Sequence, residues 1–184
     1  DLHSFPTRRS SDLVQPGPPP AGVVRNGFTT VRVPADAVHA TAEALAAGWP
    51  GTLLAPHPEQ LLAGSVLDNV RATGEDPASP ERATEALRRV GLEATELANG
   101  YATDTGDNGS ALSGGQRQRV ALARAVAADP EVLILVNPTS SVDTVTEHHI
   151  AQELHRVRAG RTTVVISDSP AFRAVADRVV EVES

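Results

Sequence analysis

Strand-length apolar runs alternate with amphipathic stretches along this chain. Val132–Val136 is a run of five apolar residues, as expected for a parallel strand that is covered on both faces. Thr162–Ile166 has the same character, and the apolar positions between 145 and 157 share one face of a helix that stops at Gly160. Shorter strands are predicted at residues 23–25, 28–33, 52–55 and 178–182.

The remaining stretches carry helix and loop signals. Ser79 as N-cap, Pro80 at the first helical position and Gly91 at the stop mark a helix with regularly spaced apolar residues. The other predicted elements are an alanine-rich helix at 34–47, an exposed loop at 101–111 and a helix at 116–128. The alternation predicts an α/β fold with a parallel sheet, into which residues 58–125 are inserted as a mainly helical segment.

A Ser-Gly-Gly sequence leads into the helix predicted at 116–128. Residues 112–116 read Leu-Ser-Gly-Gly-Gln, and several arginines follow them. Small residues let backbone N–H groups approach an anion at a helix N-terminus, where the helix dipole also attracts negative charge. The pattern therefore indicates a loop and an arginine-bearing helix that face a phosphate group.

Composition and charge narrow the classes of function. The chain has 184 residues, enough for one domain, and its net charge of −7 argues against a nucleic-acid-binding surface, which would carry a basic field. The sequence contains no cysteine, which excludes disulfides and thiolate metal sites, and its six histidines form no metal-binding motif. No apolar run reaches about 18 residues, so the chain as given is not predicted to span a membrane.

The order of two features resembles that of one protein family. The Leu-Ser-Gly-Gly-Gln loop and its helix are followed by the strand Val132–Val136 and then by Pro-Thr-Ser-Ser-Val-Asp, which ends at Asp143. This order resembles the nucleotide-binding domain of ABC transporters, in which signature motif, Walker B strand and D-loop follow one another. The resemblance implies a RecA-like parallel-sheet core at residues 14–57 and 126–184, with a helical subdomain inserted at residues 58–125.

The first thirteen residues do not fit this domain. Residues 1–13 show neither helical nor strand periodicity and resemble the translation of sequencing-adapter read-through, so they are excluded from the fold prediction. Residues 22–27 resemble the stretch that follows the Walker A helix of the family. The sequence contains no glycine-rich loop with Lys and Ser/Thr, the Walker A pattern that holds ATP phosphates. We therefore expect the Walker A loop upstream of Val14, outside this chain.

The resemblance assigns a phosphate-binding role to the signature loop. In the family, the signature helix points at the γ-phosphate of an ATP that is held by the opposite subunit. Ser113, Gly114, Gly115 and Gln116 are accordingly expected to bind that phosphate in trans. Asp143 takes the D-loop position, and it is also suited to cap the helix that follows.

Four residues depart from the family pattern. Val136 and Asn137 stand where the family has an Asp for Mg²⁺ and a catalytic Glu, but Val cannot hold a cation and an amide cannot accept a proton as a carboxylate does. Asp168 stands at the switch-His position, where it would repel the γ-phosphate, and His57 stands at the Q-loop position. We therefore assign no catalytic residue and predict that this site binds ATP without hydrolysing it, with Mg²⁺ weakly bound or absent.

The signature motif is intact, whereas the Walker B strand is degenerate. This combination favours the interpretation that the chain is one half of a heterodimeric exporter. This chain is then the ATP-binding domain of a transporter subunit that serves a second nucleotide-binding domain, with ATP and Mg²⁺ at the partner's competent site. It is expected at the cytoplasmic face of the cell membrane, attached through transmembrane domains not present in this chain, and without a nucleic-acid partner. Two alternatives stay open: a non-catalytic regulatory ABC module and a soluble ABC ATPase of nucleic-acid metabolism.

Overall fold

The domain is built on a parallel sheet, and the computed structural model describes residues 22–55, 59–74 and 76–182. The strands are β1 (Phe28–Arg32), β2 (Thr52–Leu54), β3 (Ala98–Tyr101), β4 (Val132–Val136), β5 (Thr162–Ile166) and β6 (Arg178–Glu181). The helices are α1 (Val38–Gly48), α2 (Val66–Arg71), α3 (Pro80–Arg89), α4 (Gly114–Ala128), α5 (Thr144–Val157) and α6 (Pro170–Val175). All strands except β3 form one five-stranded sheet, in the order β2-β4-β5-β1-β6, and every pairing in it is parallel.

The apolar runs of β4 and β5 form the centre of the sheet. Every residue of both strands is buried, and their register aligns the last residue of one with the last residue of the other. Leu133 and Leu135 pack with α3, α4 and α5 on one face, whereas Ile134 and Val136 pack with Trp49 and α1 on the other. Burying a side chain of this size contributes about 1.5–3 kcal/mol. Because both strands are buried on both faces, the positions of their carboxyl ends are fixed.

The segment between β2 and β4 contains three α-helices and the short strand β3. α2, α3 and α4 pack against one another, and α3 begins as its sequence predicts. The Ser79 hydroxyl accepts a hydrogen bond from the Arg82 N–H at 3.2 Å, and Pro80 occupies the first turn. Within the described ranges, every helix falls short of the length and apolar character needed to cross a bilayer. The predicted α/β fold with a parallel sheet and a helical insertion is confirmed.

Two elements near the start of the chain differ from their predictions. Residues 23–25 form no strand, because the chain turns at Asn26, whose φ of 56° is incompatible with extended backbone. Helix α1 begins four residues later than predicted. Residues 34–37 instead form a turn in which the Ala37 N–H donates to the Pro34 carbonyl oxygen at 2.9 Å.

The loop at residues 101–111 is not exposed throughout, contrary to its prediction. Thr105 is fully buried inside it. Its hydroxyl donates to the Leu62 carbonyl oxygen at 2.9 Å, and its N–H donates to the Gly64 carbonyl oxygen at 2.9 Å. The polar composition predicts an exposed loop, but these bonds fold the loop onto the segment before α2. The loop thereby fixes the entry to α4.

Candidate functional site

The N-terminus of α4 is closed by a reciprocal pair of hydrogen bonds. The Ser113 hydroxyl accepts from the Gln116 N–H at 3.2 Å, and the Gln116 side-chain oxygen accepts from the Ser113 N–H at 2.9 Å. A Ser followed three residues later by a Gln is the sequence that forms such a capping box. The Gln116 amide also donates to the Glu96 carbonyl oxygen at 3.0 Å. Ser113 and Gln116 are therefore held in one defined arrangement.

Gly114 and Gly115 make the first turn of α4. Helix geometry leaves their N–H groups without an acceptor inside the helix. Ser113 is exposed and both glycines are partly exposed. The Ser113 hydroxyl accepts one hydrogen bond and keeps its proton for donation. These donors lie at the positive end of the helix dipole, which is the arrangement that binds an anion.

Gly115 lies directly against the loop that follows β4. A Cβ atom at Gly115 would lie 2.8 Å from the Ser141 carbonyl oxygen, closer than folded proteins allow. A Cβ atom at Gly114 would meet nothing closer than the Ser141 Cβ at 3.6 Å, an ordinary van der Waals contact. Packing within the chain therefore requires glycine at position 115 but not at position 114.

This difference predicts that alanine substitution at these two positions has different effects on stability. Gly115→Ala should lower the free energy of unfolding by about 1–3 kcal/mol, because backbone must move to admit the methyl group. Gly114→Ala should be neutral or slightly stabilising, because alanine is favoured over glycine in a helix by about 1 kcal/mol. Urea unfolding followed by circular dichroism measures both. Equal midpoints for the two variants would contradict the close approach of α4 to this loop.

The arginines of α4 serve the chain's own structure. Arg117 donates to a backbone carbonyl of the preceding loop at 3.0 Å, and Arg124 donates to the Gln60 carbonyl oxygen. Arg119 forms a 2.8 Å ion pair with Glu96. Partial burial alone would raise the pKa of Glu96, but the hydrogen bond and charge of Arg119, together with the hydrogen bond from the Glu93 backbone N–H, hold that pKa below its usual value. These arginine side chains brace the loop, so the expectation of a phosphate-facing loop and helix rests on the donors at the N-terminus of α4.

Gln118 joins three segments of the chain and is only 2% exposed. Its side-chain nitrogen lies 2.7 Å from the Glu59 carboxylate, 3.0 Å from the Ser140 hydroxyl and 3.2 Å from the Asn137 carbonyl oxygen. Its side-chain oxygen accepts from the Ser141 N–H at 2.8 Å. This one side chain links α4 to the end of β4 and to the segment before α2.

Gln118 is a connecting residue that no motif in the sequence marks. Its spacing carried a usable signal, because Gln118 lies four residues before Leu122 and therefore shares a helix face with it. Leu122 is buried. A glutamine on the buried face of a helix must find hydrogen-bond partners, which marks it as a residue that connects elements.

Asp143 begins helix α5, as predicted for a capping residue. Its Oδ1 accepts from the Thr146 N–H at 2.9 Å and from the Val145 N–H at 3.1 Å. The Thr146 side chain, followed by the Thr146 and Val145 backbone N–H groups, lowers the pKa of Asp143 below its usual value. The carboxylate is therefore charged and fixed at the end of the loop that contacts Gly115.

The carboxyl ends of β4 and β5 bring Val136, Asn137 and Asp168 together. Val136 is buried, and Asn137 adopts φ 42° while its N–H donates to the Ile166 carbonyl oxygen at 2.9 Å. Asparagine tolerates the left-handed region better than most residues, so its type suits this turn. Asp168 is exposed, and its Oδ1 accepts from Arg32 Nε at 3.0 Å. Its charge is thus partly compensated by Arg32.

Mg²⁺ is a poor fit to this strand edge. Among the described residues, no group of three or more His, Cys, Asp or Glu side chains is placed to hold a metal ion. Val136 offers no donor atom, Asn137 offers a neutral amide, and the Asp168 carboxylate is paired with Arg32. His57, at the Q-loop position, lies outside the described residues.

The domain is a RecA-like α/β domain. It has a five-stranded parallel sheet with apolar clusters on both faces, and its inserted helical unit presents a glycine-rich helix N-terminus. The family model described as ABC transporter matches residues 42–140, and the chain belongs to this family. The resemblance drawn from the Leu-Ser-Gly-Gly-Gln loop is thereby confirmed.

Several ABC transporter proteins are similar to this chain in sequence. The chain is 40% identical over 122 residues to the uncharacterized ABC transporter ATP-binding protein YknV of Bacillus subtilis, covering 65% of this chain and 20% of that protein. It is 38% identical to the alpha-hemolysin translocation ATP-binding protein HlyB of Proteus vulgaris, covering 67% and 18%. It is 40% identical to a multidrug efflux ATP-binding/permease protein of Mycobacterium bovis, covering 71% and 11%. The chain thus spans a fifth or less of the length of these relatives.

A solved structure supports the same fold. The structure of a bacterial Atm1-family ABC exporter with ATP bound matches with a TM-score of 0.76 and 23% identity, covering 88% of this chain and 32% of that chain. This match confirms the RecA-like fold of ABC type.

Proposed function

We propose that this chain is the ATP-binding domain of an exporter subunit and that it lends its signature loop to a second nucleotide-binding domain. One contrast carries the proposal. The N-terminus of α4 presents hydrogen-bond donors outward, whereas the strand edge at Val136, Asn137 and Asp168 has no carboxylate placed to bind Mg²⁺ or to activate water. The names of the relatives, which include translocation and efflux proteins, support export.

At the shared site, this chain binds and orients the phosphate end of an ATP held by its partner. The Ser113 hydroxyl and the N–H groups of Gly114 and Gly115 donate to the γ-phosphate oxygens, and the helix end adds a partial charge of about +0.5. Gln116 keeps Ser113 in place through the capping box. The partner's own residues would hold Mg²⁺ at that site and would supply the carboxylate that activates water. Asp143 and its loop lie beside the same contact.

The proposal also includes the domain boundaries and the attachment of this domain to the membrane. The native domain comprises a core at residues 14–57 and 126–184 and a helical subdomain at residues 58–125, and residues 1–13 are not native sequence. Transmembrane domains belong to the rest of the transporter, and they hold this domain at the cytoplasmic face of the membrane. The chain spans 20% or less of the three relatives' lengths, which leaves room for such domains.

Asn137→Ala should leave ATP turnover of the assembled transporter near the wild-type value. The Asn137 amide cannot act as a general base, so its removal takes away no catalytic group. The alanine costs about 1–2 kcal/mol in the left-handed backbone, whereas Asn137→Gly avoids that cost and serves as the control. Steady-state phosphate release measures turnover. A tenfold loss in both variants, equivalent to about 1.4 kcal/mol of barrier, would show that Asn137 takes part in catalysis.

Isolation of the intact transporter tests the proposed function itself. A tag on the full-length protein should recover a second ABC subunit from solubilised membranes, and the complex should hydrolyse ATP. Turnover should vanish when the catalytic carboxylate of the partner is replaced by its amide. Persistent turnover in that variant would contradict the proposal, because this chain's own site would then be active. Retention on nucleic acid at physiological salt, without any membrane subunit, would favour the soluble alternative.

A further inference from the structure

A carboxylate reaches the buried amide of Gln118 from the segment that joins β2 to α2. The Glu59 Oε1 lies 2.7 Å from the Gln118 side-chain nitrogen, whereas the Ser140 hydroxyl and the Asn137 carbonyl oxygen lie 3.0 and 3.2 Å from the same atom. A hydrogen bond to an ionised acceptor is shorter than a bond to a neutral one and about twice as strong. Glu59 is therefore the dominant acceptor for this amide.

The backbone that follows Glu59 is anchored, so the Glu59 side chain starts from a fixed position. The Gln60 carbonyl oxygen accepts from Arg124 at 2.5 Å, and the Leu61 N–H donates to the Asn108 side-chain oxygen at 3.3 Å. These bonds come from α4 and from the loop that precedes it. A substitution at position 59 therefore places the new side chain at the same point.

The charge of Glu59 decides which way the Gln118 amide points. A side-chain amide donates through its nitrogen and accepts through its oxygen, whereas an ionised carboxylate only accepts. The nitrogen end therefore faces Glu59, and the oxygen end accepts from the Ser141 N–H at 2.8 Å. Turning the amide by about 180° would bring its oxygen against the carboxylate and leave the Ser141 N–H facing another donor. A carboxylate at position 59 thus selects the observed orientation.

The same amide fixes Ser141 beside the first turn of α4. Gln118 holds the N–H of Ser141, and the carbonyl oxygen of Ser141 lies where a Cβ atom of Gly115 would be only 2.8 Å away. A change in the direction of the Ser141 peptide group would therefore press on Gly115 or withdraw from it. The contacts run from Glu59 through Gln118 and Ser141 to the outward donors of α4.

We infer that Glu59 is a positioning residue for the shared phosphate site: its negative charge sets the Gln118 amide, and the amide sets the loop beside Gly115. This inference rests on the proposed function and deepens it, because it names a residue outside the signature loop on which the geometry of that loop depends. Glu59 acts through Gln118 and supplies no catalytic group.

Reversing the charge of Glu59 in the assembled transporter tests the inference. An ammonium only donates, so Glu59→Lys should take over the acceptors around the Gln118 nitrogen and draw the amide oxygen away from Ser141. We expect kcat to fall about tenfold at unchanged KM for ATP, because members of one hydrogen-bond network couple by amounts of this order and donors that act in the transition state govern kcat. Steady-state phosphate release at varied ATP concentration measures both constants.

Two single variants serve for comparison. Glu43→Lys makes the same change of charge on the exposed surface of α1 and should keep wild-type turnover. Glu59→Gln keeps the length of the side chain but can both donate and accept, so it allows both amide orientations and should lower kcat only about twofold.

A charge swap shows whether Glu59 acts through Gln118. Glu59→Lys combined with Gln118→Glu restores a charged pair and leaves one carboxylate oxygen to accept from the Ser141 N–H. The double variant should therefore recover kcat by about threefold or more over Glu59→Lys alone, whereas independent effects would multiply the two losses.

Four results would overturn the inference. Wild-type turnover in Glu59→Lys is the first, and equal losses in Glu59→Lys and Glu43→Lys are the second. The third is a raised KM at unchanged kcat, which would assign Glu59 to ATP binding. The fourth is a double variant that is no better than Glu59→Lys alone.

Failure of the inference can be told apart from failure of the proposed function. Loss of turnover in Ser113→Arg, combined with normal turnover in Glu59→Lys, would leave the trans role standing and remove only the role of Glu59. Normal turnover in Ser113→Arg would remove the trans role, and the role of Glu59 would be removed with it.

Discussion

Replacing Ser113 with arginine should abolish most ATP turnover of the assembled transporter. The substitution removes a hydroxyl donor and puts a long side chain into the space that the proposed function assigns to the γ-phosphate. Ser113 is exposed at the N-terminus of α4, with its hydroxyl proton available for donation. Loss of one donor to a developing negative charge costs about 100-fold to 1,000-fold in turnover. We expect a reduction of this size, although Ser113 lies outside the chain's own strand-edge site.

A matched variant separates this effect from loss of a helix cap. The Ser79 hydroxyl accepts from the third N–H of α3, as the Ser113 hydroxyl does at α4. Ser79→Arg should therefore lose a similar capping free energy, about 1 kcal/mol, and keep its turnover. Phosphate release by the purified complex measures both variants. Normal turnover in Ser113→Arg would refute the trans role, and equal losses in both variants would assign the effect to stability.

Replacing Gln118 with methionine should destabilise the domain by about 2–4 kcal/mol, because several buried groups lose a partner at about 1–3 kcal/mol each. The Ser141 N–H and the Asn137 carbonyl oxygen are among those groups. Methionine keeps a similar volume and leaves little cavity, so the loss reports the hydrogen bonds. Turnover of the complex should fall as well, because the loop beside Gly115 is no longer fixed to α4.

An exposed glutamine provides the control for this second prediction. Gln152→Met on α5 makes the same chemical change on the protein surface, where substitutions usually alter stability by less than about 0.5 kcal/mol. Urea unfolding midpoints measure both variants, and phosphate release measures turnover. Equal midpoints would show that Gln118 contributes no more than a surface residue. A lower midpoint with unchanged turnover would limit Gln118 to a structural role.

Local signals accounted for much of the fold. The helix starts at Ser79 and Asp143 follow from side-chain capping, which depends on neighbours only two or three residues away. The burial of β4 and β5 follows from uninterrupted apolar runs. These elements were predictable because each pattern and its structural cause lie in the same short segment. The signature loop was recognisable for the same reason.

The features that the sequence did not predict depend on distant residues. Gln118 finds a partner at Glu59, and Thr105 is buried against Leu62. The position of β1 between β5 and β6 depends on which strands pair, and the apolar pattern within a strand does not encode its neighbours. The contacts of the α4 arginines likewise depend on Glu96 and other residues distant in sequence. Such contacts are fixed only when the whole chain is folded.

The capping box at Ser113 has a consequence for how two domains associate. A loop that orders only upon contact loses conformational entropy, about 0.5–1.5 kcal/mol for each side chain immobilised. Ser113 and Gln116 already hold each other in the single chain, so this entropy is lost during folding rather than at the encounter. In the proposed dimer, docking is then rigid and readily reversible, and the γ-phosphate decides whether the two surfaces stay together.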